Sequence, residues 1–112
     1  MIYLNLGNVY DDKGEHDKAI GNYTKAIFGE PNYAKAYCNR GCAYSHMGKY
    51  DEAIYDLTRA ISLDPGFAVA YYNRGIVYKK KGENEKAILD FEKSCQLGDE
   101  DGCSQLEILG SR

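Results

Sequence analysis

Several absences narrow the reading at once. No run of about 18 apolar residues occurs, so no segment reads as a membrane-spanning helix. The opening Met1-Ile2-Tyr3-Leu4-Asn5 has neither the basic nor the apolar region of a secretory leader, which makes the cytoplasm the expected compartment. Positive charge is not in surplus: 14 Lys and Arg stand against 17 Asp and Glu, a formal net charge of −3. Contact along a phosphate backbone needs the opposite balance, so nucleic acid is not an expected partner. The four cysteines, Cys38, Cys42, Cys95 and Cys103, form no pair of Cys-x-x-Cys motifs, so no structural zinc centre is expected. Phosphate loops, dinucleotide-binding glycine motifs, HExxH and nucleophile elbows are all missing. Only His16 and His46 are available as bases near neutrality. Neither enzyme activity nor a cofactor is expected.

What remains is ample for a core. The chain has 112 residues, 44% of them hydrophobic, with eleven tyrosines, which suits one packed unit and argues against disorder. Above all, it repeats. Gly7, Gly41 and Gly75 are 34 residues apart, as are Tyr3, Tyr37 and Tyr71, and Tyr10, Tyr44 and Tyr78. Ala19, Ala53 and Ala87 keep the same step, as do Gly14, Gly48 and Gly82, and Pro31 and Pro65. A period between about 20 and 50 marks a stacked array of units that cannot each bury an apolar face alone.

The middle unit shows what is stacked. Tyr37, Arg40, Gly41 and Tyr44 recur at spacings of three and four, the signature of one helical face. Gly48-Lys49 breaks the pattern, and Ala53, Ile54, Leu57, Ala60 and Ile61 form a second face. Pro65 forces Asp64 out of helical geometry and ends it. Each unit is therefore two antiparallel helices. Helices are predicted over 2–13, 16–29, 33–47, 50–63, 67–81 and 84–97, with a short capping helix over 100–109. The three repeats cover about 1–33, 34–67 and 68–98, and 99–112 hold the cap and a tail. A glycine inside a helix costs about 1 kcal/mol against alanine. Gly7, Gly41 and Gly75 thus imply close approach of a neighbouring helix backbone, with Ala19, Ala53 and Ala87 as small partners. Gly14, Gly48 and Gly82 suit left-handed helix caps.

The residues Tyr3, Leu6, Gly7, Tyr10, Ala19, Tyr23, Ala26 and Pro31 resemble the tetratricopeptide repeat pattern. The second unit supplies Tyr37, Arg40, Gly41, Tyr44, Ala53, Leu57, Ala60 and Pro65. The third supplies Tyr71, Arg74, Gly75, Tyr78, Ala87, Phe91 and Ser94. Arg40 and Arg74 stand where the pattern usually has Leu, and Asp99 stands in place of a third Pro. The resemblance implies an all-α, right-handed helical-hairpin solenoid of about seven helices, with first helices lining the concave face. It further implies a non-catalytic interaction scaffold that takes a peptide or protein partner in that groove.

On helical spacing the groove should collect Leu4, Asn5, Asn8 and Asp12 from the first repeat. Lys35, Cys38, Asn39, Cys42 and His46 come from the second, and Val69, Tyr72, Asn73, Ile76 and Lys80 from the third. Asn5, Asn39 and Asn73 form another 34-residue series. Their amides, donors and acceptors at once, either read the backbone of an extended peptide or bond the neighbouring helix. Relatives that hold a C-terminal carboxylate use a clamp of two asparagines and three cations. By resemblance Asn8 and Asn39 match it, whereas Leu4, Val69 and Asn73 replace the cations, so strong binding of chaperone tails is not expected. Cys38, Cys42 and His46 share a stripe, but its ends lie about 12 Å apart and cannot meet on one ion.

The spacing of Cys95 and Cys103 resembles that of Sel1-like relatives, which form disulfides in secreted proteins. By that resemblance the pair could bridge the last repeat helix to the cap, whereas in a cytoplasmic chain it is expected to stay reduced. The first helix has no equivalent cap, so its outer apolar side is expected to be exposed, as in a piece of a longer array or an end that packs against another molecule. End-to-end self-assembly into a homo-oligomer is the alternative functional reading.

Overall fold

The computed structural model describes residues 1–109. Its helices are α1 (Ile2–Asp12), α2 (His16–Gly29), α3 (Ala34–His46), α4 (Tyr50–Leu63), α5 (Ala68–Lys80), α6 (Asn84–Gln96) and α7 (Glu100–Leu109), and no strand occurs among the described residues. Each boundary lies within one residue of its expected place. Successive helices pack as hairpins α1–α2, α3–α4 and α5–α6. The hairpins stack through α2–α3 and α4–α5, and α7 covers α6. The result is an all-α solenoid with extents of 44 × 25 × 20 Å. The tail beyond Leu109 lies outside the described residues.

Two kinds of stop punctuate the stack. After α1, α3 and α5 the chain turns through Gly14, Gly48 and Gly82, each at φ near 80°. The amides of Glu15, Lys49 and Glu83 then donate back to the carbonyls of Tyr10, Tyr44 and Tyr78 at 2.8–2.9 Å, which closes a Schellman cap. After α2 and α4 the residue before proline does the work: Glu30 and Asp64 are extended, at φ −142° and −140°. The third repeat has no proline at this point and stops instead at Gly98, φ 101°. Asp99 then caps α7, its Oδ1 accepting the amide of Asp101 at 3.0 Å.

The repeat glycines face something other than a helix backbone. A Cβ on Gly7 would run into the ring of Tyr23, and one on Gly75 would sit 2.6 Å from the ring of Phe91. At Gly41 it would meet Leu57 Cγ at 2.9 Å and, secondarily, the carbonyl of Ala53 at 3.1 Å. Tyr23, Leu57 and Phe91 are themselves 34 apart and fully buried. The expected backbone-to-backbone approach is thus corrected: the missing Cβ makes room for one large side chain from the second helix. Ala19, Ala53 and Ala87, wholly inaccessible, flank that contact.

The departure from Leu at Arg40 and Arg74 has a structural reason. Arg40 Nε and its terminal nitrogen donate to both oxygens of Asp56 at 2.7 and 2.9 Å, and its other nitrogen reaches Thr24 at 3.1 Å. Arg74 repeats this on Asp90 and Thr58. Each guanidinium also lies near two tyrosine rings, Tyr37 and Tyr44 or Tyr71 and Tyr78, at 5.6–6.0 Å. One residue thereby ties its own hairpin together and ties that hairpin to the one before. The first repeat has Leu6 and Asn22 at these positions and lacks the clasp.

Cys95 and Cys103 are joined by a disulfide, with their Cα atoms 4.7 Å apart, so α7 is covalently held on α6. This corrects the expectation of a reduced pair. Gly102 faces Ser94 so closely that the two helices meet with almost no side chain between them, which brings the two sulfurs within reach.

Two sets of variants test this packing. Gly75→Ala should lower unfolding free energy by roughly 1–3 kcal/mol, because the new methyl displaces Phe91. Gly21→Ala, in open space on α2, should raise it by roughly 0.4–1 kcal/mol. Urea titration followed by circular dichroism measures both. Asp56→Ala, which strands Arg40, should cost about 3 kcal/mol, and the added change Arg40→Leu should restore much of that loss.

Candidate functional site

The first helices of successive repeats touch one another, α1 against α3 and α3 against α5, and the shallow face they share is the candidate groove. Two hollows divide it. The first, about 260 Å³, lies between α1 and α3 and is lined by Asn8, Asp11, Asp12, Tyr23, Asn39 and Cys42. The second, about 80 Å³, lies between α3 and α5, where Cys42, Ser45, His46, Asn73, Ile76, Val77 and Lys80 converge over Leu57.

The floor of the first hollow is a hydrogen-bonded knot. Asn8 Oδ1 accepts from the Tyr23 hydroxyl at 2.6 Å and from Asn39 Nδ2 at 2.9 Å. With its oxygen doubly occupied, Asn8 keeps amide N–H capacity for a ligand. Burial, and then the nearby Asp11 carboxylate, push the Tyr23 hydroxyl well above its ordinary pKa, so it stays a neutral donor. In the second hollow Asn73 Nδ2 donates to the sulfurs of Cys42 at 3.1 Å and Cys38 at 3.6 Å.

These bonds change the reading of the asparagine series. Asn39 and Asn73 each donate to the residue 31 positions earlier, in the preceding repeat, and so couple the repeats. Asn5 is exposed. The row is therefore not three equivalent free amides.

A second series lines neither hollow. Leu4, Cys38 and Tyr72 are 34 apart, and the first two pack against the next unit. Leu4, 3% exposed, packs in a cluster with Ala36 and Ala43, and Cys38, 1% exposed, with Ala70 and Val77. Tyr72 packs against Phe91 in a tilted arrangement, with ring centroids 5.8 Å apart and planes at 50°. Its hydroxyl is raised by burial and by Asp101 and Asp99, on and just before α7. Leu4 and Cys38 thus sit on the inter-repeat seam, and Tyr72 lies against its own hairpin partner. Of the remaining expected residues, Asn8, Asn39, Cys42, His46, Asn73, Ile76 and Lys80 do come together, with Asp12 at the rim. Lys35 and Val69 are exposed on α3 and α5 and line neither hollow.

His46 does not continue the cysteine stripe. It turns toward the first repeat, its ring centroid 5.1 Å from that of His16 and its Nδ1 3.4 Å from Asp11 Oδ1. Sequence spacing gave no sign of this, because the three residues come from three different helices.

The profile for the tetratricopeptide repeat matches residues 34–67 and 68–99, and a second one, for the TPR repeat, matches residues 7–48. The chain belongs to the tetratricopeptide repeat family. Among solved TPR structures it is similar to the first TPR domain of Spaghetti (RPAP3) bound to the HSP90 peptide SRMEEVD. The identity is 27%, with 96% of this chain and 87% of that one covered and a TM-score of 0.91. The second TPR domain of human RPAP3, in complex with the HSP70 peptide SGPTIEEVD, is 30% identical over 98% of this chain and 93% of its own, with a TM-score of 0.89. MamA is 36% identical, with a TM-score of 0.81; the matched region is 86% of this chain and 56% of MamA. No match was found among curated proteins. No helix among the described residues is long and apolar enough to cross a membrane.

The groove thiol yields a direct check. The hydrogen bond to Cys38, followed by burial, raises the Cys42 pKa, so little thiolate forms at neutral pH. Iodoacetamide should label Cys42 far more slowly in the folded TPR domain than in the urea-unfolded chain, as peptide mass spectrometry would read.

Proposed function

We propose that this TPR domain is a non-catalytic interaction module that holds an extended peptide segment of a partner protein in the groove between α1, α3 and α5. The observation that carries the reading is the pair of adjoining hollows floored by hydrogen-bonded amide side chains. Asn8 and its neighbours offer N–H groups to a passing backbone, Ile76 offers apolar contact, and Lys80 closes one end. The RPAP3 domains, so similar in backbone, bind chaperone peptides ending in EEVD, which supports use of the same face here.

The ligand chemistry differs. Leu4 is in the core, and Val69 and Asn73 carry no charge, so the three cations of a carboxylate clamp are missing. Asp11 and Asp12 add negative charge to the first hollow. A terminal carboxylate would lose water there without gaining a cation, which is costly. The favoured ligand is an internal, non-acidic segment.

Selection from a random peptide display library tests this. Peptides enriched on the natural domain should lose at least about tenfold in affinity for Ile76→Arg, which fills the second hollow, at unchanged helicity; tenfold corresponds to about 1.4 kcal/mol. The peptide SRMEEVD should not bind. Equal binding to both proteins sinks the groove reading.

One observation favours a second reading, self-assembly. Ile2 and Val9 are 72% and 48% exposed, whereas the residues 34 and 68 positions on, Ala36 and Ala70, Ala43 and Val77, are buried against the preceding repeat. The outer face of α1 therefore has the surface of an inter-repeat seam. A sedimentation coefficient independent of concentration would dispose of this reading.

A further inference from the structure

We propose that Asp11, His16 and His46 form a binding site for a divalent first-row transition metal ion of the zinc type, at the junction of the first two repeats. The proposal is independent of the groove reading. One ligand atom from each residue lies within 4.8 Å of the other two. Nδ1 of His16 and Nδ1 of His46 both approach Oδ1 of Asp11, at 2.6 and 3.4 Å. Two ligands bound tetrahedrally to one zinc ion at about 2.1 Å sit roughly 3.4 Å apart. His46 is already at that separation from Asp11, and His16 must move out by about 0.8 Å on the same geometry.

The three residues are held by rigid ends of different helices. Asp11 is in the last turn of α1, His16 opens α2, and His46 closes α3. The Schellman cap that bonds Glu15 to Tyr10 fixes the first two relative to each other, and the cap bonding Lys49 to Tyr44 fixes the third. Side-chain exposure rises from 13% at Asp11 through 26% at His16 to 49% at His46. The carboxylate is thus anchored inside, and the outer imidazole leaves an open side for water as fourth ligand. Two imidazoles and one carboxylate suit zinc, cobalt, nickel or copper, whereas magnesium and calcium favour oxygen donors throughout.

The repeat supplies an internal control. The residues 34 positions on from Asp11, His16 and His46 are Ser45, Tyr50 and Lys80. The second junction has the same helix ends yet a hydroxyl, a phenol and a cation, a set with neither imidazole nor carboxylate to bind a metal ion. The cluster therefore does not follow from the packing that every repeat shares.

Cobalt(II) titration of the whole chain, read by visible absorption and followed by displacement with zinc, tests the site. The expected result is saturation at one equivalent, without the near-ultraviolet charge-transfer band of a thiolate ligand. His16→Gln and His46→Gln should each weaken binding on the order of 100-fold. Cys42→Ser should leave it unchanged. Far-ultraviolet circular dichroism checks that the variants fold, and His46→Gln, at the most exposed position, decides the matter if His16→Gln does not. No spectral change under excess cobalt, wild-type affinity in His46→Gln, or loss of binding in Cys42→Ser would each overturn the proposal.

Discussion

Each hairpin rests on one fit: a glycine on the first helix against a large buried side chain on the second. Gly7 with Tyr23, Gly41 with Leu57 and Gly75 with Phe91 set the depth at which the helices meet. That depth decides which positions of the first helix look back, which look forward and which look into the groove. The backward face carries Ala36 and Ala43, and the forward face carries Leu4 and Cys38, all inaccessible or nearly so. The strip between them, which includes Asn8, Cys42 and Ile76, lines the hollows. Because interiors pack close to crystal density, a methyl added at the glycine moves the whole arrangement rather than one side chain.

Helices, turns and cap were legible in the sequence to within a residue, because their causes are local. The glycine caps and the residue before proline act within one turn of the chain. The groove was legible only in part. Helical spacing places Leu4, Cys38 and Tyr72 on the same side as Asn8 and Cys42, and four residues are little more than one helical turn. What separates seam from groove is the angle at which the next hairpin arrives, which no local pattern encodes. The Arg40–Asp56 and Arg74–Asp90 clasps were hidden for another reason. Both partners recur with the period, but pairing across 16 residues shows only when the hairpin is closed. The meeting of Asp11, His16 and His46 spans two repeats and breaks the period, so repetition itself pointed away from it.

The first repeat is the one that departs from the others. It has Leu6 and Asn22 where the later units have the Arg–Asp clasp, and Tyr23 where they have Leu57 and Phe91. The Tyr23 hydroxyl carries a polar group from the core into the floor of the first hollow and fixes the orientation of Asn8. The site is therefore most differentiated where the scaffold is least repetitive, as expected if the later repeats chiefly supply support.

The bond between Cys95 and Cys103 has a consequence for how order is lost. A linear stack has only nearest-neighbour contacts, so it comes apart from its ends. At the carboxyl end α7 cannot leave α6 without breaking a covalent link. At the amino end α1 and α2 have no clasp, and apolar side chains on α1 are open to water. Among the described residues the covalent tie thus sits on the third hairpin alone. The second hollow therefore lies nearer the cross-linked side of the stack than the first.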